Sequence, residues 1–134
     1  MADDRDELIV VDAANVVGSR PDGWWRDRSG AARRLLERLT SLHERLDRPA
    51  EIVVVLEGAA KAAMTSEAGF EGLHIVAAHG SGDDAIVDVV AAAVEKDGHR
   101  SITVVTADRG LRTRVEALGA TTTGPRWLLD QLDP

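Results

Sequence analysis

LIVVDAAN, residues 8–15, sets four aliphatic residues in a row, ends them on one acid, and follows with two alanines. The run has no apolar–polar alternation, so it predicts a strand buried on both faces, as in a parallel sheet covered by helices. Asp12 then stands where that strand stops. The arrangement recurs outward along the chain, in IVVVLEG (52–58), HIVAAHGSGDD (74–84) and ITVVTADRG (102–110). A weaker run, Ala120–Thr123, makes a fifth strand.

Helical patterns fill the intervals. Ala31, Leu35, Leu39, Leu42 and Leu46 recur at three or four residues and predict an amphipathic helix from about Ser29 to near Arg48-Pro49, where proline disfavours continuation. Ser81-Gly-Asp-Asp84 resembles a capping box and opens a second helix, with Ile86, Val89, Val90, Ala93 and Val94 as its buried stripe and Gly98 at its end. A third helix runs from about Arg109 to Leu118 and closes at Gly119. A last one opens at Pro125 and carries Trp127, Leu128 and Leu132 toward the core. Residues 58–71 read as a short helix and loop. The alternation of strands and helices predicts an α/β fold, a parallel sheet between two helical layers with right-handed crossovers. At 134 residues the expectation is one domain, 1–134.

Composition narrows the chemistry. There is no cysteine, which excludes disulfides, thiolate zinc sites and cysteine nucleophiles. The acidic start MADDRDE and the short apolar run after it suit neither a signal peptide nor a membrane span, so a cytoplasmic protein with no membrane partner is expected. Net charge is −7, which argues at first against a nucleic-acid partner. Residues 18–34, however, hold five arginines against two aspartates, and they read as the one dense positive stretch.

In a parallel sheet all carboxyl ends share one edge, and ligand sites form in the crevice there. Asp12, Glu57, Asp83, Asp84 and Asp108 all follow strands and so are expected at that edge. Carboxylates crowded together repel one another unless they hold protons, arginines or a cation. An oxygen-only donor set suits Mg²⁺ or Mn²⁺ rather than zinc. Such a cluster supports hydrolysis of a phosphodiester by a metal-activated water. Ser19, Ser29, Ser41, Ser66, Ser81 and Ser101 show no histidine partner, and His43, His74, His79 and His99 show no ligand spacing.

Each acid also has a structural reading. Asp12 and Asp108 suit helix caps, Glu57 a turn before Gly58, and Asp83 and Asp84 a helix first turn favoured by its dipole. Asn15, one helical turn past Asp12, is either an orienter of water or phosphate, or an N-cap. Thr106 either turns its hydroxyl into the site or is an ordinary β-branched strand residue. The loop GSRPDGWWRDRSG (18–30) joins Arg20, Arg26 and Arg28 to Trp24 and Trp25. Guanidinium groups for phosphates and indoles for unstacked bases are what single-stranded RNA recognition uses; the other reading is a solvated face with one packed indole. Trp127 reads as core.

VDAAN (11–15), VVVLEG (53–58), SGDDAI (81–86), VVTADRGL (104–111) and GPRWLLDQL (124–132) together resemble the PIN-like nuclease superfamily, most closely its bacterial NYN-type branch. The likeness runs over nearly the whole chain in the right order, with Glu57 where the family usually has Asp. It implies a three-layer sandwich with five parallel strands in the order 3-2-1-4-5. It also implies a metal-dependent ribonuclease, with endonucleolytic cleavage expected. Asp12, Asp83 and Asp108 would be catalytic, with Glu57 and Asp84 joining them around the metal. The partner so implied is RNA; nothing in the sequence assigns a homodimer, a ribosome or an antitoxin. A catalytically silent RNA-binding or protein-interaction module on the same fold is the competing reading. A receiver domain lacks support because Asp12 has no acidic neighbour, and a haloacid-dehalogenase-type phosphatase would need an acid where Ala14 stands.

Overall fold

β1 (Glu7–Asp12) lies at the middle of the sheet because both of its faces are apolar enough to be covered. Leu8 and Val10 point into one helical layer, Ile9 and Val11 into the other. The computed structural model describes residues 7–19, 26–46, 50–58, 61 and 72–132. Among these, β1 leads into α1 (Ala13–Gly18), followed by α2 (Arg28–Arg45), β2 (Ala50–Leu56), β3 (Leu73–Ala77) and α3 (Gly82–Lys96). β4 (Ser101–Val105), α4 (Arg109–Glu116), β5 (Thr121–Thr123) and α5 (Pro125–Leu132) complete the order. The sheet has five parallel strands in the order β3-β2-β1-β4-β5, as the resemblance implies.

Two cores form, one on each face. Ile9, Val11, Ile52, Val54 and Leu56 meet Leu35, Leu36, Leu39 and Leu42 of α2 and Leu128 and Leu132 of α5. Leu8, Val10, Val53, Val55, Ile102 and Val104 meet Ile86 and Val90 of α3 and Leu111 and Val115 of α4. Successive strand residues point to opposite faces, so a strand between two helical layers must be apolar at every position. That holds for Leu8–Val11 of β1 and Ile52–Leu56 of β2. At the edges it does not: His74 and Ala77 of β3 are exposed, as is Thr121 of β5.

Element ends differ from the sequence reading in instructive ways. α2 starts at Arg28, within a residue of the expected start, with Asp27 as its cap accepting the Gly30 N–H at 3.0 Å, and it ends at Arg45, short of Arg48-Pro49. α3 does start at the expected cap, where Ser81 Oγ accepts the Asp84 N–H at 3.1 Å. α4 ends two residues early at Glu116, and Gly119, at a φ of 102° that favours glycine, lets the Ala120 N–H reach back to the Val115 carbonyl. Trp127 is not core: it is 40% exposed, whereas Pro125, Leu128 and Leu132 are buried. At about 100° per residue Trp127 falls almost opposite Pro125, off the buried stripe. Of the segment read as a short helix and loop, 59–60 and 62–71 lie outside the described residues, as do Arg20, Trp24 and Trp25. No described helix is long and apolar enough to cross a membrane.

This packing predicts a sharp contrast within one helix. Leu36, fully buried on α2, should cost about 2–5 kcal/mol when replaced by alanine. Replacing its exposed neighbour Glu37 by alanine should change stability by no more than about 0.5 kcal/mol. Urea denaturation of the two variants measures the difference; similar midpoints would contradict the described core.

Candidate functional site

Because every strand runs the same way, the β1–α1, β2, β3–α3 and β4–α4 junctions all open on one edge of the sheet. Asp12 ends β1 there and is 6% exposed. Its two oxygens do different work. Oδ1 caps α1 by accepting the Asn15 N–H at 3.4 Å, and Oδ2 accepts the hydroxyl of Thr106 at 2.9 Å. Thr106 is wholly buried just past the end of β4, so its hydroxyl does lie in the site. The same hydroxyl oxygen accepts the Asp108 N–H at 3.1 Å, and the Thr106 N–H bonds the Thr123 carbonyl at 2.8 Å. A single threonine thus ties the ends of β1, β4 and β5 together.

Asn15 is not an N-cap: it lies inside α1, which Asp12 caps. Its Oδ1 accepts the Ala107 N–H at 2.8 Å, so it pins the β4–α4 loop against α1. Asp108, exposed at the start of α4, caps that helix by accepting the Leu111 N–H at 3.1 Å. Glu57, half-buried after β2, reaches across to α3 and accepts the Gly82 N–H at 2.7 Å. That close approach favours glycine: a Cβ on Gly82 would sit 3.0 Å from the Glu57 carboxyl group, which would have to give way. Asp83, in the first turn of α3, is half-buried. Asp84 points elsewhere, paired with Arg114 of α4 at 3.0 Å on an exposed surface.

The electrostatics link four of these acids. Burial is the main cause that pushes the Asp12 carboxyl above its ordinary value of 3.8; bonds from Thr106 and Asn15 oppose this, and the charges of Asp83 and Glu57 add to it. Asp83 is also raised, first by burial, then by Asp108 and Glu57, with Arg114 acting against and Asp84 adding a little. Asp83 is therefore the acid coupled to Asp12, Glu57 and Asp108, and Asp12 also feels Glu57. They are not gathered into a closed ligand cage: among the described residues no three acids or imidazoles stand close enough to grip an ion in this arrangement. Capping explains the spread, since Asp12, Glu57 and Asp108 each spend an oxygen on a helix N-terminus.

The sequence reading missed the arginines of α4. Arg112 donates from Nε to the Thr106 carbonyl at 2.9 Å, and Arg114 stands beside Asp83 and Asp84. The reading of residues 18–34 as the one dense positive stretch is therefore corrected. Residues 109–127 hold four arginines against one glutamate, beside the same edge. The signal was the arginine spacing in RGLRTR, directly after Asp108. Arg26 and Arg28 are exposed at the start of α2, each with partners of its own.

The crystal structure of Rae1 (YacP) from Bacillus subtilis is similar, with a TM-score of 0.74 over 95% of this chain and 75% of that one, at 17% identity. A likeness at that identity carries the fold. No protein-family profile matches the chain, and no curated protein matches it by sequence.

The raised Asp12 fixes the sign of a pH effect. Below pH 3.8 the carboxyl is protonated whether the chain is folded or not, and it costs nothing. As pH rises from there the unfolded chain loses the proton first, so stability falls until the folded carboxyl ionises, and the loss is complete above that point. Asp12→Asn removes the charge and keeps one accepting oxygen, enough for the 2.9 Å bond from Thr106 at the expense of the longer one from Asn15. The metal-free variant should therefore gain stability relative to the parent as pH rises from 3.8 to neutral. Melting curves across pH check this; a difference between the two proteins that does not change with pH would contradict the raised value.

Proposed function

We propose that this chain is a divalent-metal-dependent ribonuclease that cleaves RNA phosphodiesters endonucleolytically, with Asp12, Asp83 and Asp108 as its catalytic acids. The observation that supports it most is the repulsion centred on Asp83, which is coupled to Asp12, Glu57 and Asp108. These acids come from separate segments to the carboxyl edge of a parallel sheet, where ligand crevices form. Repulsion of this kind works against folding, and a cation offsets it.

The donor chemistry fits a hard cation. Every candidate ligand is a carboxylate oxygen, which suits Mg²⁺ or Mn²⁺. An ionised carboxylate offers about four acceptor positions, so the two bonds to Asp12 and the single cap bonds to Glu57 and Asp108 leave capacity to spare. Asp12, Asp83 and Asp108 would hold the metal, with Glu57 in support and Asp84 at the margin on Arg114. A bound divalent ion supplies an activated water and charge neutralisation at the scissile phosphate. Thr106 holds the orientation of Asp12, and Asn15 fixes the loop that carries Asp108. Arg20, Trp24, Trp25, Arg26 and Arg28 form the proposed RNA-binding loop, since the acids repel phosphate until a cation intervenes.

A second reading has its own support. Asp12, Glu57 and Asp108 already serve as helix caps and no three acids among those described stand at gripping distance, which favours a silent RNA-binding or protein-interaction module.

Incubation with single-stranded and structured RNAs separates the two. The parent should cleave with Mn²⁺ or Mg²⁺ and not with EDTA, and Asp12→Asn or Asp108→Asn should fall to background while remaining folded. A parent that binds RNA without cleaving it selects the silent module; undiminished cleavage by both variants removes these acids from the mechanism. Binding across a salt series, with Ca²⁺ to limit turnover, tests the loop. Arg26→Ala with Arg28→Ala should flatten the salt slope by roughly one to two phosphate contacts. An unchanged slope and affinity would exclude both arginines as RNA contacts.

A further inference from the structure

Trp127 is the one large hydrophobic residue among those described that stands exposed, at 40%. An exposed indole offers a large flat apolar face with a polar N–H, which suits it to contact a ligand. Its position gives the exposure meaning. Pro125 opens α5 directly after β5, so Trp127 sits in the first turn of α5, on the edge that carries Asp12 and Asp108. The far end of α5 is fixed at the opposite edge, where the Gln131 carbonyl accepts from Arg45 at the end of α2.

A short chain of bonds ties the indole's backbone to the acids. Asp12 accepts from Thr106, whose N–H bonds the Thr123 carbonyl, and the Trp127 N–H bonds the Gly124 carbonyl at 3.1 Å. Cations flank this path. Arg112 bonds the Thr106 carbonyl and extends toward Gly124, where a Cβ would lie 3.6 Å from its Nη2. Arg126, next to Trp127, is exposed. Arg109, Arg112, Arg114 and Arg126 thus lie on the two helices, α4 and α5, that start at this end of the acidic edge, with exposed Trp127 in the first turn of α5.

We infer that Trp127 is a stacking platform for an unpaired base of single-stranded RNA, with Arg126 and Arg112 on the adjoining phosphates. Alternating flat rings and anions are the chemistry that an indole between guanidinium groups recognises. The inference rests on the ribonuclease reading for its substrate class, and it gives that substrate a path. The strand crosses the α4–α5 side of the edge, with the base held on Trp127 and a phosphate placed toward Asp12 and Asp108. An RNA kept in duplex form has no base to offer and gains nothing from the ring.

Anisotropy of a labelled oligoadenylate, with Ca²⁺ in place of Mg²⁺, tests this on the full chain. Trp127→Ala should weaken binding roughly 5- to 150-fold with the salt slope unchanged, because stacking releases few counterions. Trp127→Phe should keep most of the affinity. A series of oligoadenylates with one abasic position walked along the strand should show one position that weakens the parent and leaves Trp127→Ala unaffected. That loss of coupling identifies stacking even if the alanine variant is less stable. A Trp127→Ala protein that binds as tightly as the parent and keeps every abasic penalty overturns the platform and leaves the ribonuclease reading standing. A parent that neither binds nor cleaves any RNA overturns both.

Discussion

One buried hydroxyl lies between two acids. Thr106 donates to Asp12 and accepts from the backbone N–H of Asp108, while its own N–H holds the Thr123 carbonyl. A hydroxyl can do both because it carries one proton and two lone pairs. Without it, Asp12 would keep a carboxylate oxygen buried and unsatisfied, at a cost of roughly 1–3 kcal/mol or more. The bond spans 94 residues of sequence, so it also registers the end of β1 against the end of β4. The positions of Asp108, of the loop pinned by Asn15, and of the α5 start through Thr123 follow from it.

The same acids serve structure and charge at once. A helix N-terminus stabilises a carboxylate through its free N–H groups and dipole, and Asp12, Glu57 and Asp108 each occupy such a terminus. At Asp12 the bonds from Asn15 and Thr106 favour the charged form, against burial and the charges of Asp83 and Glu57. Burial and neighbouring charges nevertheless raise both Asp12 and Asp83. At Asp12, Glu57 and Asp108 the cap bond uses one oxygen and leaves the other carboxylate oxygen with acceptor capacity of its own. The cap is the means by which a carboxylate is aimed at the edge.

Much of the edge was legible residue by residue. Continuous apolar runs located the inner strands, because a strand between two helical layers has no face to leave polar. The acid after each run could be placed at one edge, because parallel strands all end on the same side. Thr106 was readable as a site hydroxyl by its place two residues before Asp108. What could not be read were the partners across space. The bond from Asn15 to Ala107, the reach of Glu57 to Gly82, and the pairing of Asp84 with Arg114 join segments whose separation in sequence carries no sign of contact. Trp127 was misplaced for a related reason: its neighbours Leu128 and Leu132 made the whole helix look apolar, and only the orientation of α5 on the sheet shows which stripe is covered.

Taken alone, the sequence determined the alternation of strands and helices, the parallel sheet, and the chemical type of the groups at its carboxyl edge. Those depend on local periodicity and on where each strand stops, which a linear string records. Tertiary structure decided which acids share a field, which is turned away onto an arginine, and which faces of α4 and α5 border the site. These depend on distances and orientations between elements, set by packing two apolar layers against one twisted sheet.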